Sequence, residues 1–283
     1  MTIWQILILA IIQGAAELLP VSSSAHVIVA EKLLGLDPTR PDMTLLLVML
    51  HTGTMFAVIV FYWRAWKAGF FQSWRAFKAF FKLLAAATVL TGVIGLALKE
   101  VIEKIILKGT PHAEIEMIFG NLTLLSASLM AVGALIVFSG LKAHRASGRG
   151  GPMDLRGACW MGAVQGFCLP FRGFSRSGAT ISTGLFMGLS RQRVEEFSFA
   201  LAVVLTPPII AREVLRLLKA EHATGAALPL FAPSLLGMVL SFGAGLLALR
   251  WLSAWLEKGR WHLFGIYCIC ASMVAFVLSW SGM

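Results

Sequence analysis

Two short segments of the chain carry side chains that could bind and cleave a phosphate. In both segments, hydroxyls and ionisable groups stand inside a stretch that is otherwise apolar. Ionisable side chains at membrane depth are costly, so a cluster of them marks a functional site. The first segment holds Gln13, Glu17, Ser22, Ser23 and His26, and the second holds Arg172, Gly173, Ser175, Arg176, Ser177 and Thr180.

Glu17 is the acidic group of the first segment. It lies four residues after Gln13, which places both side chains on one face of a helix. Pro20 follows closely, and a proline breaks or kinks a helix. A carboxylate just before such a break could bind a divalent cation, accept a proton or pair with an arginine. The sequence leaves these three roles of Glu17 open.

Three serines follow Pro20, and we expect them to begin a second helix. His26 lies three residues after Ser23, within reach of it on a helix. A serine hydroxyl needs a nearby base to become a nucleophile, and His26 could be that base. His26 could instead attack phosphorus itself or protonate a leaving group. Ser23, His26 and water all remain candidates for the nucleophile.

The second segment has the features of an anion site. Gly173 permits close approach of the backbone, and Ser175 or Ser177 is expected to cap a helix that begins there. The exposed amides and the dipole of a helix N-terminus favour a phosphate, and the Arg176 guanidinium adds charge-assisted hydrogen bonds. This segment therefore predicts a phosphate-binding helix start.

The two segments complement each other chemically. If they meet, Arg172 and Arg176 converge opposite Glu17 and His26, and Thr180 shares the helix face of Arg176. Phosphoryl transfer mainly needs an in-line nucleophile and cations on the other oxygens. The residues match that need. A weaker candidate, His51, lies in an apolar run, where cavity-lining and packing roles remain open.

The composition indicates a polytopic membrane protein. Only 13% of the 283 residues are charged, 58% are hydrophobic, and the mean hydropathy is +0.81. A soluble domain has about 25% charged residues. The net charge of +10 comes from basic residues in short loops, so we expect contact with membrane lipids and not with nucleic acid. The four cysteines are predicted to be free thiols.

The apolar pattern predicts an all-α fold with about six transmembrane helices and two re-entrant helical hairpins. Full spans are predicted at about 44–62, 83–99, 119–141, 195–211, 233–250 and 263–281. Two further stretches, about 1–35 and 157–189, are each broken midway by polar residues, Gly or Pro. Irregular backbone at membrane depth must be covered by protein or line a cavity, so each stretch is interpreted as helix, turn and helix.

The basic loops predict the orientation of the chain. The loops richest in lysine and arginine fall on one side if all six spans cross, and we place them in the cytoplasm. The two hairpins then enter from opposite sides. We therefore predict one integral domain over 1–283, built from inverted repeats at about 1–141 and 142–283. An echo of Gln13-Gly14 in Gln165-Gly166 supports this prediction.

With these motifs the chain resembles the undecaprenyl-diphosphate phosphatases, the membrane family also named for bacitracin resistance. The resemblance covers essentially the whole chain. One family motif corresponds to Gln13 through Glu17, continuing to Ser23 and His26; the other corresponds to residues 172–180. Arg172 departs from the family pattern, which has proline there. Arg172 could tighten phosphate binding, mark an altered substrate or pair with Glu17.

The resemblance implies an enzyme that hydrolyses undecaprenyl diphosphate to undecaprenyl phosphate and inorganic phosphate. This reaction recycles the lipid carrier of peptidoglycan synthesis and is linked to bacitracin resistance. It also implies inverted repeats, a divalent cation such as magnesium or calcium, and a site that opens outward from the bacterial inner membrane. The expected partners are then a polyprenyl diphosphate substrate and membrane lipids. A second copy of the chain, forming a homodimer, is a further candidate partner.

The resemblance assigns roles to the residues named above. Catalytic roles fall to Glu17, Ser23, His26 and Arg176, substrate binding to Gln13, Ser22, Arg172, Gly173, Ser175, Ser177 and Thr180, and the metal to Glu17. The alternative is a polyprenyl-phosphate flippase or transporter, since broken helices at the bilayer midplane are also a transporter signature.

Overall fold

The computed structural model describes residues 2–36, 41–108, 118, 121–145, 150–224 and 231–280, and these form ten α-helices. In chain order the helices are α1 (Ile3–Leu18), α2 (Ser23–Leu33), α3 (Pro41–Gly69), α4 (Trp74–Val101), α5 (Leu122–Arg145), α6 (Leu155–Cys168), α7 (Arg176–Phe186), α8 (Arg191–Thr224), α9 (Phe231–Glu257) and α10 (Trp261–Trp280). A π-helical turn, Ile102–Ile106, extends α4. The predicted all-helical fold is confirmed.

Among the described residues, five helical segments are long and apolar enough to cross a membrane. They are Leu45–Gly69, Trp74–Ile106, Leu122–Ala143, Phe231–Glu257 and Trp261–Trp280, and they match five of the six predicted spans. The sixth, 195–211, lies in α8, which contains Pro207 and Pro208 and is not among the five. That span stays a prediction.

Apolar side chains cover the outside of these helices. On α4, Val89, Val93 and Leu96 recur at helical spacing and are each more than half exposed. A soluble monomer rarely exposes such continuous apolar surface. With the five candidate spans, this surface identifies a multi-pass membrane protein.

Both predicted helix breaks are present. Residues 19–22 separate α1 from α2, and residues 169–175 separate α6 from α7. The helices of each pair pack against each other. The base of the first pair is closed by a hydrogen bond of 3.3 Å from the Gln5 side chain to the Leu34 carbonyl. Each broken stretch is therefore a helix–turn–helix unit, as predicted.

The chain divides into two compact units. Unit 1 comprises Met1–Leu19, Ser23–Arg64 and Ala202–Leu252, and contains α1, α2, α9 and parts of α3 and α8. Its core is apolar and is built where α1, α2 and α3 pack together. The core residues are Ile6, Leu9, Ala10, Val27, Ala30, Met43, Leu46 and Leu50. This packing fixes the two helices that carry the first segment.

Unit 2 comprises Pro20–Ser22, Ala65–Leu201 and Ser253–Met283. Within it α5 packs along α10, α4 along α6, and α7 against both α5 and α6. Backbone hydrogen bonds between Gly151 and Gly188, and between Ser190 and Gly151, each 2.9 Å long, join the two ends of the second helix–turn–helix unit. This unit carries the second segment.

Gly14 allows α1 to pack closely on α9 within unit 1. A Cβ atom at Gly14 would lie 2.6 Å from the Ala244 Cβ, 2.7 Å from the Ser241 carbonyl oxygen and 3.2 Å from the Gly245 nitrogen. Real Cβ contacts are not this short, so the helices would have to separate around any larger residue.

Gly166 allows the corresponding approach of α6 to α4 within unit 2. A Cβ atom at Gly166 would lie 2.7 Å from the Thr91 carbonyl oxygen, 3.0 Å from the Ile94 Cβ and 3.2 Å from the Gly95 nitrogen. Both glycines meet a carbonyl oxygen, then a Cβ atom three residues later and a backbone nitrogen one residue after that on the partner helix. Each broken helix pair thus packs on a helix from the other half of the chain. Such matching contacts favour two related halves, although the inverted repeat itself stays a prediction.

Candidate active site

Glu17 is the centre of a polar group in unit 1, which we call the carboxylate cluster and which consists of Gln13, Glu17, Ser23 and His51. The Ser23 hydroxyl donates a hydrogen bond of 2.6 Å to Glu17 Oε2. The Gln13 amide donates to the same oxygen at 3.1 Å. His51 Nε2 lies 3.7 Å from it. Three helices, α1, α2 and α3, therefore each bring a side chain to one carboxylate.

The turn between α1 and α2 aims Ser23 at Glu17. Ser22 has a φ of +66°, a left-handed conformation that non-glycine residues adopt rarely and at a cost of about 1–2 kcal/mol. Its buried hydroxyl donates a hydrogen bond of 2.7 Å to the Arg172 carbonyl. The Cys268 thiol donates to the Pro20 carbonyl at 3.2 Å. These two contacts, both within unit 2, hold the turn.

The contact of Ser22 defines its role in the structure. The sequence predicted that Ser22 binds substrate, but its hydroxyl is used to fix the backbone beside Ser23. Gln13 is likewise buried, and its amide positions the Glu17 carboxylate. Both residues act on the geometry of the cluster, and direct contact of either with substrate stays a prediction.

Glu17 offers Ser23 a proton acceptor. A general base must lie about 2.6–3.2 Å from the oxygen whose proton it takes, and the distance between Ser23 Oγ and Glu17 Oε2 meets this condition. The sequence had named His26 as one candidate for that task, with nucleophile and proton donor as its alternative roles. His26 lies one turn further along α2 and is partly buried. The distance therefore allows Glu17, as well as His26, to be considered as the base for Ser23.

The sequence left two roles open for His51, which could line a cavity or pack within the protein. Its Nδ1 atom lies 2.8 Å from the Leu47 carbonyl oxygen, and its side chain is 43% exposed. It is therefore not a fully enclosed packing residue. An ionisable side chain within an apolar span was the signal that pointed to it.

The second segment forms what we call the guanidinium cluster, which consists of Arg172, Ser175, Arg176, Ser177 and Thr180 in unit 2. Ser175, one of the two serines predicted as caps, is the N-cap of α7, and its hydroxyl accepts a hydrogen bond of 3.2 Å from the Gly178 amide. Arg176 is the first residue of α7 and is partly buried, whereas Arg172 is exposed. The Arg176 guanidinium is therefore attached at the N-terminus of α7, where the helix dipole is positive.

The remaining members of the guanidinium cluster are buried and hold α7 in position. Ser177 Oγ lies 3.4 Å from Ser175 Oγ. The Thr180 hydroxyl lies 2.6 Å from the Ser198 hydroxyl on α8 and donates to the Arg176 carbonyl at 2.9 Å. Gly173 packs against the backbone of α5 at Leu125, where a Cβ atom would overlap the carbonyl oxygen. The close approach predicted for Gly173 is thus made to α5.

The predicted cation can be tested against the side chains available. Within the described ranges, no group of three or more histidine, cysteine, aspartate or glutamate side chains could hold a metal ion. The carboxylate cluster nevertheless offers one carboxylate oxygen and one imidazole nitrogen 3.7 Å apart. Magnesium sites often use one or two carboxylates and complete their shell with substrate phosphates and water. Glu17 fits a cation of that kind.

Other charged and thiol groups have structural contacts. The four cysteines are free, as predicted. The buried Glu196 accepts from Arg193 at 3.0 Å and from Gln192 at 2.7 Å. The neighbouring Glu195 accepts a hydrogen bond from Ser253. These contacts anchor the start of α8, on which Ser198 supports Thr180.

The chain is similar to known proteins along nearly its whole length. The family model for the bacitracin resistance protein BacA matches residues 6–274. The chain is 57% identical to "Undecaprenyl-diphosphatase 2" of Acinetobacter baylyi over 99% of both chains. It is 34% identical to "Undecaprenyl-diphosphatase 1" of Burkholderia pseudomallei over 99% of this chain and 97% of the relative. The chain therefore belongs to the bacitracin resistance protein BacA family.

Proposed function

We propose that this protein hydrolyses undecaprenyl diphosphate to undecaprenyl phosphate and inorganic phosphate. Its family and its relatives, which are named undecaprenyl-diphosphatases, support this activity. The observation that carries the chemistry is the 2.6 Å hydrogen bond from Ser23 to Glu17, because it pairs a nucleophile with a base. The product is the lipid carrier for peptidoglycan synthesis, which accounts for the link to bacitracin resistance.

Ser23 is the proposed nucleophile. Its oxygen forms a bond to the terminal phosphorus as its proton passes to Glu17. The bond from that phosphorus to the bridging oxygen breaks, and undecaprenyl phosphate leaves with the electron pair. His26 is the proposed donor of the proton that this leaving group takes up. Water then attacks the phosphoserine and gives one proton to His26, and inorganic phosphate is released as the Ser23 oxygen takes back the proton held by Glu17. Glu17 serves as base in the first step and as the source of the proton afterwards.

Arg176 is the proposed stabiliser of negative charge on the transferred phosphoryl group. A planar guanidinium binds two phosphate oxygens at once, and the first amides of α7 add hydrogen-bond donors. We propose that the guanidinium cluster and the carboxylate cluster act on one diphosphate. The complementary chemistry of the two segments supports this, since one supplies a hydroxyl and a carboxylate and the other supplies a guanidinium.

A divalent cation such as magnesium or calcium is proposed to assist, with Glu17 holding it. When bound, the cation would neutralise diphosphate oxygens as the phosphoryl group is transferred. The Gln13 amide keeps the Glu17 carboxylate in position for this task. Thr180, Ser175 and Ser177 remain proposed contributors that act mainly through the placement of α7.

The proposed location is the bacterial inner membrane, with the active site open to the periplasmic side. The basic loops that were placed in the cytoplasm support this orientation. Membrane lipids surround the protein, and a homodimer is a proposal on which the reaction scheme does not depend.

Ser23→Ala tests the proposal directly, with Ser24→Ala as a matched control one residue along α2. Both variants are assayed for phosphate release from undecaprenyl diphosphate in detergent. Loss of the nucleophile is expected to lower kcat about 10³-fold or more, while Ser24→Ala stays within about threefold of the wild type. Near-normal turnover by Ser23→Ala would refute the role of Ser23 as nucleophile.

Acid quenching of turnover with substrate labelled in the terminal phosphate gives an independent test. We expect labelled phosphate on Ser23 in the wild type and none in Ser23→Ala. A competent enzyme that never carries label would indicate direct attack by water. The flippase alternative has no support from the relatives, and phosphate release by the purified protein distinguishes it, since transport alone produces no phosphate.

A further inference from the structure

His51 places its Nε2 atom 3.7 Å from Glu17 Oε2. Its Nδ1 atom lies 2.8 Å from the Leu47 carbonyl oxygen, and a carbonyl can only accept a hydrogen bond. Nδ1 therefore carries a hydrogen. In the neutral imidazole the other nitrogen, Nε2, then has none and is free to act as a ligand.

The atom that faces Nε2 is also an acceptor. Glu17 Oε2 lies 3.7 Å away and already receives hydrogen bonds from Gln13 and Ser23. When His51 is neutral, both atoms present lone pairs toward each other across 3.7 Å. Two such acceptors side by side are the arrangement that binds a cation.

The distances allow one ion to reach both atoms. Ligand nitrogens and oxygens lie about 2.1 Å from a bound divalent ion such as zinc, so two of them are at most about 4.2 Å apart. The observed 3.7 Å is within this limit. A histidine that binds a metal also usually donates its second ring hydrogen to a carbonyl or carboxylate, as His51 does to Leu47.

On the basis of the proposed divalent cation, we infer that His51 is a second protein ligand of that cation, through Nε2, beside Glu17. Imidazole suits transition ions, whereas carboxylates suit magnesium, calcium and manganese. A site with one ligand of each kind takes manganese more readily than calcium. With two protein ligands, diphosphate oxygens and water complete the shell.

Manganese provides a readout that does not depend on turnover. The protein in detergent is mixed with Mn²⁺ and a non-hydrolysable prenyl methylenediphosphonate, and pulsed electron paramagnetic resonance detects ¹⁴N nuclei bound to the ion. We expect an imidazole ¹⁴N coupling in the wild type and its loss in His51→Gln. The Mn²⁺ dissociation constant is expected to rise at least about tenfold. His51→Asn serves as a second variant if the first is misfolded by circular dichroism.

His26→Gln is the matched control, since His26 is the other histidine near Ser23, and it should keep the ¹⁴N coupling. Bound Mn²⁺ without any ¹⁴N coupling in the wild type, or a coupling that survives in His51→Gln, overturns the assignment of His51 while leaving the cation in place. Absence of any bound Mn²⁺ overturns the proposed cation and the His51 ligand together.

Discussion

Glu17→Gln separates the chemical role of the carboxylate from its shape. Glutamine has nearly the same size as glutamate. Its amide oxygen can still accept a hydrogen bond from Gln13, which lies 3.1 Å from the carboxylate, or from Ser23, which lies 2.6 Å from it. It cannot take up a proton and it carries no charge. The packing of α1 and α2 should therefore survive while proton transfer from Ser23 is lost.

The size of the effect follows from the proposed role of Glu17 as general base. A positioned base contributes about 10²–10⁴-fold to the rate. At about 1.36 kcal/mol for each factor of ten, this loss raises the activation free energy by roughly 2.7–5.5 kcal/mol. Because the substituted group acts on Ser23 during the reaction, we expect the decrease mainly in kcat.

The assay is phosphate release at varied concentrations of undecaprenyl diphosphate in detergent micelles, with Glu31→Gln as control. Glu31 is a buried glutamate on α2, outside the carboxylate cluster, and its variant should change kcat less than about threefold. Size-exclusion profiles show whether each variant is folded. A Glu17→Gln enzyme with more than about one tenth of the wild-type kcat would contradict the role of Glu17 as base.

Three further predictions address helix packing, the turn and the anion site. Gly166→Ala should destabilise the protein by about 1–3 kcal/mol because the added methyl group overlaps α4. Gly92→Ala is the control, since its methyl group meets open space on α4 and should stabilise the protein by about 0.5–1 kcal/mol. Equal unfolding midpoints of the two variants in detergent would contradict the close packing of α6 on α4. Ser22→Gly should be about 1 kcal/mol more stable than Ser22→Ala. Both variants lose the hydrogen bond to the carbonyl of residue 172, but only glycine adopts the left-handed backbone conformation without strain. A higher unfolding temperature for Ser22→Ala would refute this prediction. Arg176→Lys should lower kcat at least about tenfold, because lysine cannot bind two phosphate oxygens at once as arginine does. Arg172→Lys, at an exposed position, should change kcat less than about threefold. If Arg172→Lys instead lowers phosphate release more than Arg176→Lys does, the stabilising role belongs to Arg172.

Local features of the fold were predictable because their causes lie within a few residues. Hydrophobic length identified five of the spans. Pro20 marked the first helix break, and the polar residues that begin at Arg172 marked the second. A serine cap was predicted at Ser175 or Ser177 because a serine before a helix start accepts a hydrogen bond from the first turn, and the structure selects Ser175. The run at 195–211 was harder to interpret because α8 continues well beyond it, through Pro207 and Pro208, to Thr224.

The glycine echo shows how a sequence signal gained its physical meaning. Gln13-Gly14 and Gln165-Gly166 resembled each other along the chain, but their packing partners on α9 and α4 lie far away in sequence. The sequence around a helix does not predict which other helix it packs against, because many apolar helix faces could pack together with similar energy. Close backbone contact at Gly14 and Gly166 selects one neighbour for each helix pair.

By itself, the sequence determined that this protein is helical, lies in a membrane and carries two polar helix breaks, since hydropathy and proline act locally. The family motifs also identified Glu17 and Ser23. Only the tertiary structure decided that Ser23 donates to Glu17, that Ser22 is held by a backbone carbonyl 150 residues away, and that His51 faces Glu17. Such contacts depend on how helices pack, and a difference of one residue in that packing would turn each side chain toward another partner.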